Sequence, residues 1–189
     1  MQKTTLFLVL LALGLGGYVY FNEIHSPPPE ETETTAEETL LTFDHNEVQQ
    51  ITLDREEETL TLIRSNEGWE MIEPEEAVAE ESAIVFLLDL LTSETSSETF
   101  TVENPQLEAY QLSEPLVSIK IQLEDETEHT MMLGTTTFNE EEVYAQINPK
   151  EEEMQEVKII PINLKEAAER PLEDWKEEAS QEEEETNSD

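Results

Sequence analysis

Apolar and polar residues alternate along several short stretches of the chain, a pattern that is typical of half-buried β-strands. In the first half, residues 48–53 and 59–64 alternate on either side of an acidic turn, and residues 68–72 follow a second turn. These three stretches predict an antiparallel meander of three strands.

A helix is predicted after this meander. Pro74 and the two glutamates that follow it suit a first helical turn, because proline fits there and carboxylates favour the positive end of a helix. Apolar residues then keep helical spacing from Ala77 through about Thr92. The run IVFLLDLL within this stretch is too short to span a membrane, so we expect it to be buried beneath a sheet.

A second set of alternating stretches follows in the same order as the first. Residues 116–123 and 128–133 match the first hairpin at offsets of 68 and 69 residues. The second set is completed by strands at 143–147 and 156–160 and a closing helix after Pro161. The fold class is therefore α+β, with antiparallel β meanders and covering helices. Two interpretations of the repeat stay open: a duplication into β-rich halves at 40–100 and 101–176, or a chance likeness between alternating strands.

The N-terminus carries one apolar run that is long enough to cross a membrane. Residues 4–21 form an uncharged stretch of 18 residues, about 27 Å long as a helix, against a hydrocarbon core of roughly 30 Å. Tyr18 and Tyr20 lie where an aromatic belt would anchor a retained helix, although cleavage of a signal peptide after Gly17 stays open. Because Lys3 lies on the N-terminal side, the positive-inside rule predicts a single-pass anchor at 1–21 in the cytoplasmic membrane, with the N-terminus inside and the remainder outside the cytoplasm.

The rest of the chain divides into three parts by composition. Residues 22–39 contain three consecutive prolines and several glutamates, which predicts a semi-stiff linker. Residues 40–176 have the length and apolar content of one folded domain. Residues 177–189 are mostly acidic and polar, which predicts a disordered tail.

The charge balance narrows the classes of partner. The chain has 47 acidic and 9 basic residues, for a formal net charge of −38. The negative charges on its surface therefore repel one another in dilute buffer, and concentrated salt screens this repulsion. We therefore expect adaptation to high salt. Nucleic acid is excluded as a partner because no basic patch exists to displace its counterions, whereas a neutral or basic protein suits the charge. The chain has no cysteine, so its fold has no disulfide bond.

No pattern of residues identifies a reaction. His25, His45 and His129 lack metal-binding spacing, and nucleophile motifs are absent. Gly68 and Gly134 are interpreted as turn residues. Carboxylates are so abundant that a pair of them is better explained as part of an acidic surface than as a catalytic pair. The sequence therefore predicts no catalytic, cofactor-binding or metal-binding residue and no cofactor.

Four aromatic residues are candidates for a binding groove: Trp69, Tyr110, Tyr144 and Trp175. Packing in the core or at a strand edge is the favoured interpretation of all four. In the alternative, the segment PLEDWKEE presents Trp175 to a partner.

Six short motifs carry a likeness that extends over nearly the whole chain. They are KTTLFLVLLALGLGGYVY, VQQITLDR, GWEMIEP, NPQLEAYQLSEPLVSIKI, MMLGTTTFNEEEVYAQI and LEDWKE. With these motifs the chain resembles an uncharacterised bacterial family of single-anchor envelope proteins, which usually has glycine at the position of Gln111 and a basic residue near Trp175. The resemblance implies an anchored β-rich domain of unknown activity, in some genomes encoded beside an ABC exporter of the gliding-motility type. It supplies no catalytic residue.

The leading hypothesis is a membrane-anchored, non-enzymatic accessory module outside the cytoplasm, with an envelope protein as its partner and ABC transporter subunits as candidates. The alternatives are an envelope hydrolase that uses a pair of glutamates and a structural, salt-adapted surface protein. A deep polar cleft whose carboxyl pKa values are raised would favour the hydrolase. An exposed apolar patch within the acidic surface would favour the accessory module.

Overall fold

The computed structural model describes residues 39–56 and 58–177. The predicted anchor at 1–21 lies outside this part, as do the linker before Thr39 and the tail after Glu177. Within the described part, no helix is long and apolar enough to cross a membrane.

The described strands form one antiparallel sheet of nine strands. Their bounds are β1 Val48–Arg55, β2 Thr59–Ser65, β3 Gly68–Glu73, β4 Ala77–Val78, β5 Glu98–Glu103, β6 Val117–Leu123, β7 Glu128–Thr136, β8 Glu142–Ile147 and β9 Met154–Pro161. The order across the sheet is β4-β3-β2-β1-β6-β7-β8-β9-β5. The predicted antiparallel α+β class is thereby confirmed, and the two predicted meanders are joined in a single sheet.

The two meanders run outward from a central pair formed by β1 and β6. In this pair Ile51 lies opposite Ile121, and Leu53 lies opposite Ile119. Alternation explains the register, because every second residue of β6 is buried and the residues between them are partly or fully exposed. Such an arrangement is expected of a duplicated unit, and the duplication itself stays a prediction.

Two α-helices cover one face of the sheet and build the main core. They are α1 (Glu81–Ser93) and α2 (Asn163–Ala168), which contact each other. The buried residues of α1 follow the helical period and pack with the buried residues of both meanders. They are Ala83, Ile84, Leu87, Leu88, Leu90 and Leu91. The prediction that the run IVFLLDLL lies beneath a sheet is confirmed.

The predicted start of α1 at Pro74 is wrong. Residues 77–79 instead pair with β3: Val78 lies opposite Glu70, and the amide of Ala79 donates to the carbonyl of Trp69 at 2.9 Å. Their backbone groups are therefore used by the sheet. The helix begins only at Glu81, after Glu80 has capped it by accepting from the amide of Ser82.

A second, smaller cluster, which the sequence pattern did not predict, lies on the opposite face of the sheet. After α1 the chain forms β5, which pairs with β9, and then a 3₁₀ helix at Asn104–Tyr110. Adjacent residues Met131 and Met132 of β7 point to opposite faces, so that Met131 joins the main core and Met132 joins this cluster. The cluster consists of Val102, Leu107, Leu112 and Val157, with Phe100, Tyr110, Met132 and Tyr144 against it.

Gly134 lies in β7 and not in a turn, so its predicted role is wrong. A Cβ at this position would lie 2.0 Å from the backbone oxygen of Tyr110. The glycine lets the end of the 3₁₀ helix approach the strand closely. Gln111 follows this helix in the left-handed conformation, with φ 53° and ψ 39°, where glycine is the residue of lowest conformational cost.

Candidate functional site

The strongest candidate for a site is a cavity of about 550 Å³ where the sheet ends at β3 and β4. We call it the β3–β4 groove. Its lining comprises Ser65, Glu67, Gly68, Trp69, Glu70, Met71, Ile72, Glu76, Ala77 and Val78. The groove therefore belongs to one hairpin turn, one strand and the two-residue strand that borders it.

Local sequence shapes the groove in two ways. Gly68 adopts a φ of +133° at the β2–β3 turn, a conformation that L side chains rarely adopt. Further along β3, the register with β2 shifts between Thr61 and Leu62, so Ile72 has no regular partner. The adjacent apolar pair Met71 and Ile72 breaks the alternation, and this was the available sequence signal for the bulge.

Two large apolar side chains are exposed in the groove. Ile72 is 41% exposed and Val78 is 59% exposed, while Trp69 and Met71 beside them are buried. The guanidinium of Arg64 lies 4.6 Å from the centre of the Trp69 ring and donates to the carbonyls of Val48 and His45. The buried tryptophan is thus held in place behind an apolar surface that water can reach.

The charge of the groove is negative. Three of its lining residues are glutamates, namely Glu67, Glu70 and Glu76, and none of the lining residues is basic. A ligand that fits the groove therefore needs an apolar group, and the parts of the ligand next to that group need to be neutral or positively charged.

The C-terminal end of the described chain borders the groove. The amide of Glu177 donates to the carbonyl of Val78 at 3.0 Å, and the amide of Glu80 donates to the carbonyl of Trp175 at 2.9 Å. Lys176 forms ion pairs with Glu75 and Glu173, and these hydrogen bonds raise its pKa. The chain therefore closes the outer side of β4 with its own backbone.

The favoured interpretation of the four aromatic residues as packing is confirmed. Trp175 is fully buried, so the alternative in which it is presented to a partner is wrong. Trp69 is buried as well and contributes to the groove from below. Tyr110 and Tyr144 belong to the second cluster, with ring centres 4.8 Å apart, and the structure does not bring them to the groove.

The two described histidines lie apart from the groove. The Nε2 atom of His45 is 3.0 Å from the hydroxyl of Thr92, and the ring of His129 stacks on Phe43 at 5.6 Å. Among residues 39–56 and 58–177, no three histidine or acidic side chains are grouped to hold a metal ion. His25 lies outside the described residues.

A family model described as a domain of unknown function (DUF4340) matches residues 69–187, which is more than half of the chain. The chain belongs to the DUF4340 family. The predicted membership of an uncharacterised domain family is thereby confirmed, whereas the membrane anchor and the neighbouring exporter stay predictions. No curated protein and no solved structure matches the chain.

The DUF4340 match begins in β3 at Trp69, so it includes most of the groove and leaves out β1 and β2. It also includes a second concavity of about 530 Å³, between the 3₁₀ helix and the loop after β8. Two buried amides border this concavity: Gln155 donates to the carbonyls of Lys150 and Glu152 at 2.7 Å and accepts from Gln146 at 3.2 Å. These bonds hold the loop in place, so the amides have a structural role.

Within the described part of the DUF4340 chain, the pKa values of three carboxyl groups are lowered from their ordinary values. The amide of Asn46 lowers the pKa of Asp44, the hydroxyl of Ser82 lowers that of Glu80, and the hydroxyl of Thr127 lowers that of Asp125. Each cause is a hydrogen bond to the charged form. A general acid at neutral pH needs the opposite shift.

Proposed function

We propose that this DUF4340 chain is a membrane-anchored, non-enzymatic accessory module, whose β3–β4 groove binds a segment of another envelope protein. Subunits of an ABC transporter are the candidate partners. The module stands outside the cytoplasm on its predicted anchor and linker.

One observation carries the proposal. Ile72 and Val78 are both exposed and line the same groove, together with three glutamates. An apolar surface within a strongly acidic protein costs solvation free energy and marks a site of contact. The surrounding carboxylates select the partner by charge, so the bound segment has an apolar side chain flanked by lysine or arginine.

The hydrolase alternative has less support. The downward pKa shifts of Asp44, Glu80 and Asp125 are those of hydrogen-bonded surface carboxylates, whereas a glutamate acid catalyst needs a raised pKa. The groove glutamates line a cavity with exposed apolar side chains, which suits binding better than proton transfer.

The test is crosslinking of the tagged full-length protein in native membranes, followed by purification and mass spectrometry. The test variant combines Ile72→Ser with Val78→Ser. The matched control is Val85→Ser on α1, because Val85 is 42% exposed and does not line the groove.

We expect an envelope protein with a neutral or basic segment to be recovered with the unaltered chain and with the control. The double variant should recover about tenfold less, since truncating the few anchor side chains at the centre of an interface costs about 2 kcal/mol or more. Equal recovery with both variants would exclude the groove as the binding site. Recovery of the protein alone would remove the accessory role and favour the structural alternative.

A further inference from the structure

The opposite end of the sheet is formed by β5, which is an edge strand. It pairs with β9 over all six of its residues, from Glu98 opposite Ile159 to Glu103 opposite Met154. Within residues 39–56 and 58–177, no strand pairs with its outer side. One row of backbone groups on β5 is therefore available for pairing.

The hydrogen bonds around β5 identify which amides point outward. The amide of Asn104, just beyond the strand, donates to the carbonyl of Glu153 at 3.0 Å. Opposite residues of an antiparallel pair alternate between bonded and non-bonded positions, so the amides of Thr99, Thr101 and Glu103 point away from β9. The amide of Glu103 donates to the side-chain oxygen of Gln106 at 2.9 Å, which leaves those of Thr99 and Thr101 as the outward donors.

The two ends of the sheet differ in how they are protected. β4 has only two residues, and its outer side is bonded to the chain at Glu177. β5 is three times as long, contains no proline or lysine, and has charged residues only at its two ends, Glu98 and Glu103, whereas proteins usually blunt an exposed edge with proline or with charged side chains along it. The side chains of Phe100 and Val102 pack in the second cluster, which holds the strand in the sheet.

We propose that the outer edge of β5 is a second interaction surface, which binds an extended segment of a partner protein as an added antiparallel strand. Backbone pairing at Thr99 and Thr101 supplies the affinity. Glu98 and Glu103 mark the two ends of the edge, so the bound segment carries lysine or arginine at both ends. The surface is at the opposite end of the strand order from the groove and does not rest on the function proposed for it.

Charge excludes the two nearest competitors for this edge. A second copy of this chain carries the same formal net charge of −38, so pairing of two β5 edges would bring two strongly acidic surfaces together and is opposed by their repulsion. The segment that precedes Thr39 in the same chain is rich in glutamate as well and meets the same repulsion.

The test uses the purified full-length protein and two synthetic peptides, KVTVTVK and its acidic counterpart EVTVTVE. Hydrogen exchange of individual amides is followed by NMR. At saturating KVTVTVK, we expect exchange at Thr99 and Thr101 to slow by about tenfold or more, with no change at the same concentration of EVTVTVE.

Variants of Thr101 separate backbone pairing from side-chain contact. Thr101→Pro removes the outward amide and keeps the amides that bond to β9, so we expect KVTVTVK to bind about tenfold more weakly. Thr101→Val keeps the amide and should bind as the unaltered chain does. The combined Thr99→Lys and Thr101→Lys variant should repel the basic peptide. This variant replaces Thr101→Pro as the test of the edge if the proline variant does not fold.

Three results would overturn the proposal. The first is unchanged exchange at Thr99 and Thr101 in the presence of KVTVTVK. The second is equal affinity of the unaltered chain for the two peptides, or equal affinity of the folded Thr101→Pro variant and the unaltered chain for KVTVTVK. The third is slow exchange of both amides in the free protein, since the edge would then be occupied already. If the slow exchange depends on protein concentration, a second copy occupies the edge. If it does not, the segment that precedes Thr39 occupies it.

Discussion

The close approach at Gly134 shows how one residue controls the packing of the second cluster. Both faces of β7 are covered, one by the main core and the other by the segment that ends at Tyr110. A side chain at position 134 would displace the backbone of Tyr110 and with it the ring that contacts Tyr144 at 4.8 Å. Space, and not backbone conformation, is the reason for glycine here.

We expect Gly134→Ala to lower the free energy of unfolding by about 1–3 kcal/mol, because an added methyl group in a filled site forces the backbone to shift. Urea denaturation followed by tryptophan fluorescence measures the change. Thr130→Ala, in the same strand, is the control and should change stability by less than about 1 kcal/mol. If the midpoints of Gly134→Ala and the control agree, the 3₁₀ helix does not pack on the strand as described.

Backbone conformation, by contrast, is what matters at Gln111, where the resemblance described above implies glycine in related sequences. The left-handed conformation of this residue, with φ 53°, accounts for that preference in physical terms, since only glycine adopts it without steric cost. The sequence difference could be seen in advance, but the conformation that explains it could not.

At the scale of elements, α1 depends on its N-terminal cap. The Oε1 atom of Glu80 accepts from the hydroxyl of Ser82 at 2.6 Å and from its amide at 3.2 Å. These bonds lower the pKa of Glu80 from its ordinary value of 4.5. Because the folded pKa lies below the unfolded one, the stabilisation is present above pH 4.5 and is lost as the pH falls through the folded pKa.

We therefore expect Glu80→Gln to have a lower melting temperature than the unaltered chain at pH 7, and the difference to disappear in acid. Melting curves recorded from pH 7 to pH 3 provide the measurement. Glu114→Gln removes the same charge at an exposed position outside the helix and controls for net charge. The role of the ionised cap would be contradicted if the difference in melting temperature between Glu80→Gln and the unaltered chain stayed constant with pH or grew in acid.

Strand alternation was a sufficient guide to most elements of this fold, and its failures have physical causes. β1, β2 and β6 were predicted because apolar residues alternate with polar ones along each strand, and β7 was predicted as the hairpin partner of β6 although both of its faces are covered. β5 was missed although residues 98–103 also alternate, because no second strand adjacent in sequence suggested a partner; β5 pairs with β9, more than fifty residues later.

The groove was beyond sequence reasoning for a related reason. Its exposed residues Ile72 and Val78 look like core residues in the sequence, and only the bulge and the two-residue length of β4 expose them. The start of α1 was misplaced because Pro74 and the following glutamates satisfy helical preferences locally. Pairing of residues 77–79 with β3 overrides those preferences.

At the scale of the whole molecule, the two proposed surfaces lie at opposite ends of one sheet. The groove has exposed apolar side chains and a closed backbone edge, while β5 has an open backbone edge and threonine and glutamate side chains on its exposed face. The first suits recognition by an apolar anchor, and the second suits recognition through main-chain hydrogen bonds. Both favour basic partners, since the chain has 47 acidic residues against 9 basic ones.

The same imbalance predicts that the stability of the folded chain depends on salt. At about 0.1 M salt the Debye length is roughly 10 Å, so neighbouring surface carboxylates repel one another, whereas at about 1 M it is roughly 3 Å and most of this repulsion is screened. Folding brings the charges closer together than they are in the unfolded chain, so screening stabilises the folded state more. We expect the melting temperature to rise steadily between these two concentrations of sodium chloride.

A charge variant distinguishes screening from a general effect of salt on apolar burial. Glu151, Glu152 and Glu153 form an exposed acidic run in the loop after β8, and replacing all three with glutamine removes like charges without changing the core. The variant should melt above the unaltered chain in dilute buffer and approach it in molar salt, because less repulsion remains to be screened. If the melting temperatures of both proteins rise in parallel with salt, the effect is due to apolar burial. If the melting temperature of the unaltered chain stays constant or falls, the salt adaptation that its composition predicts is excluded.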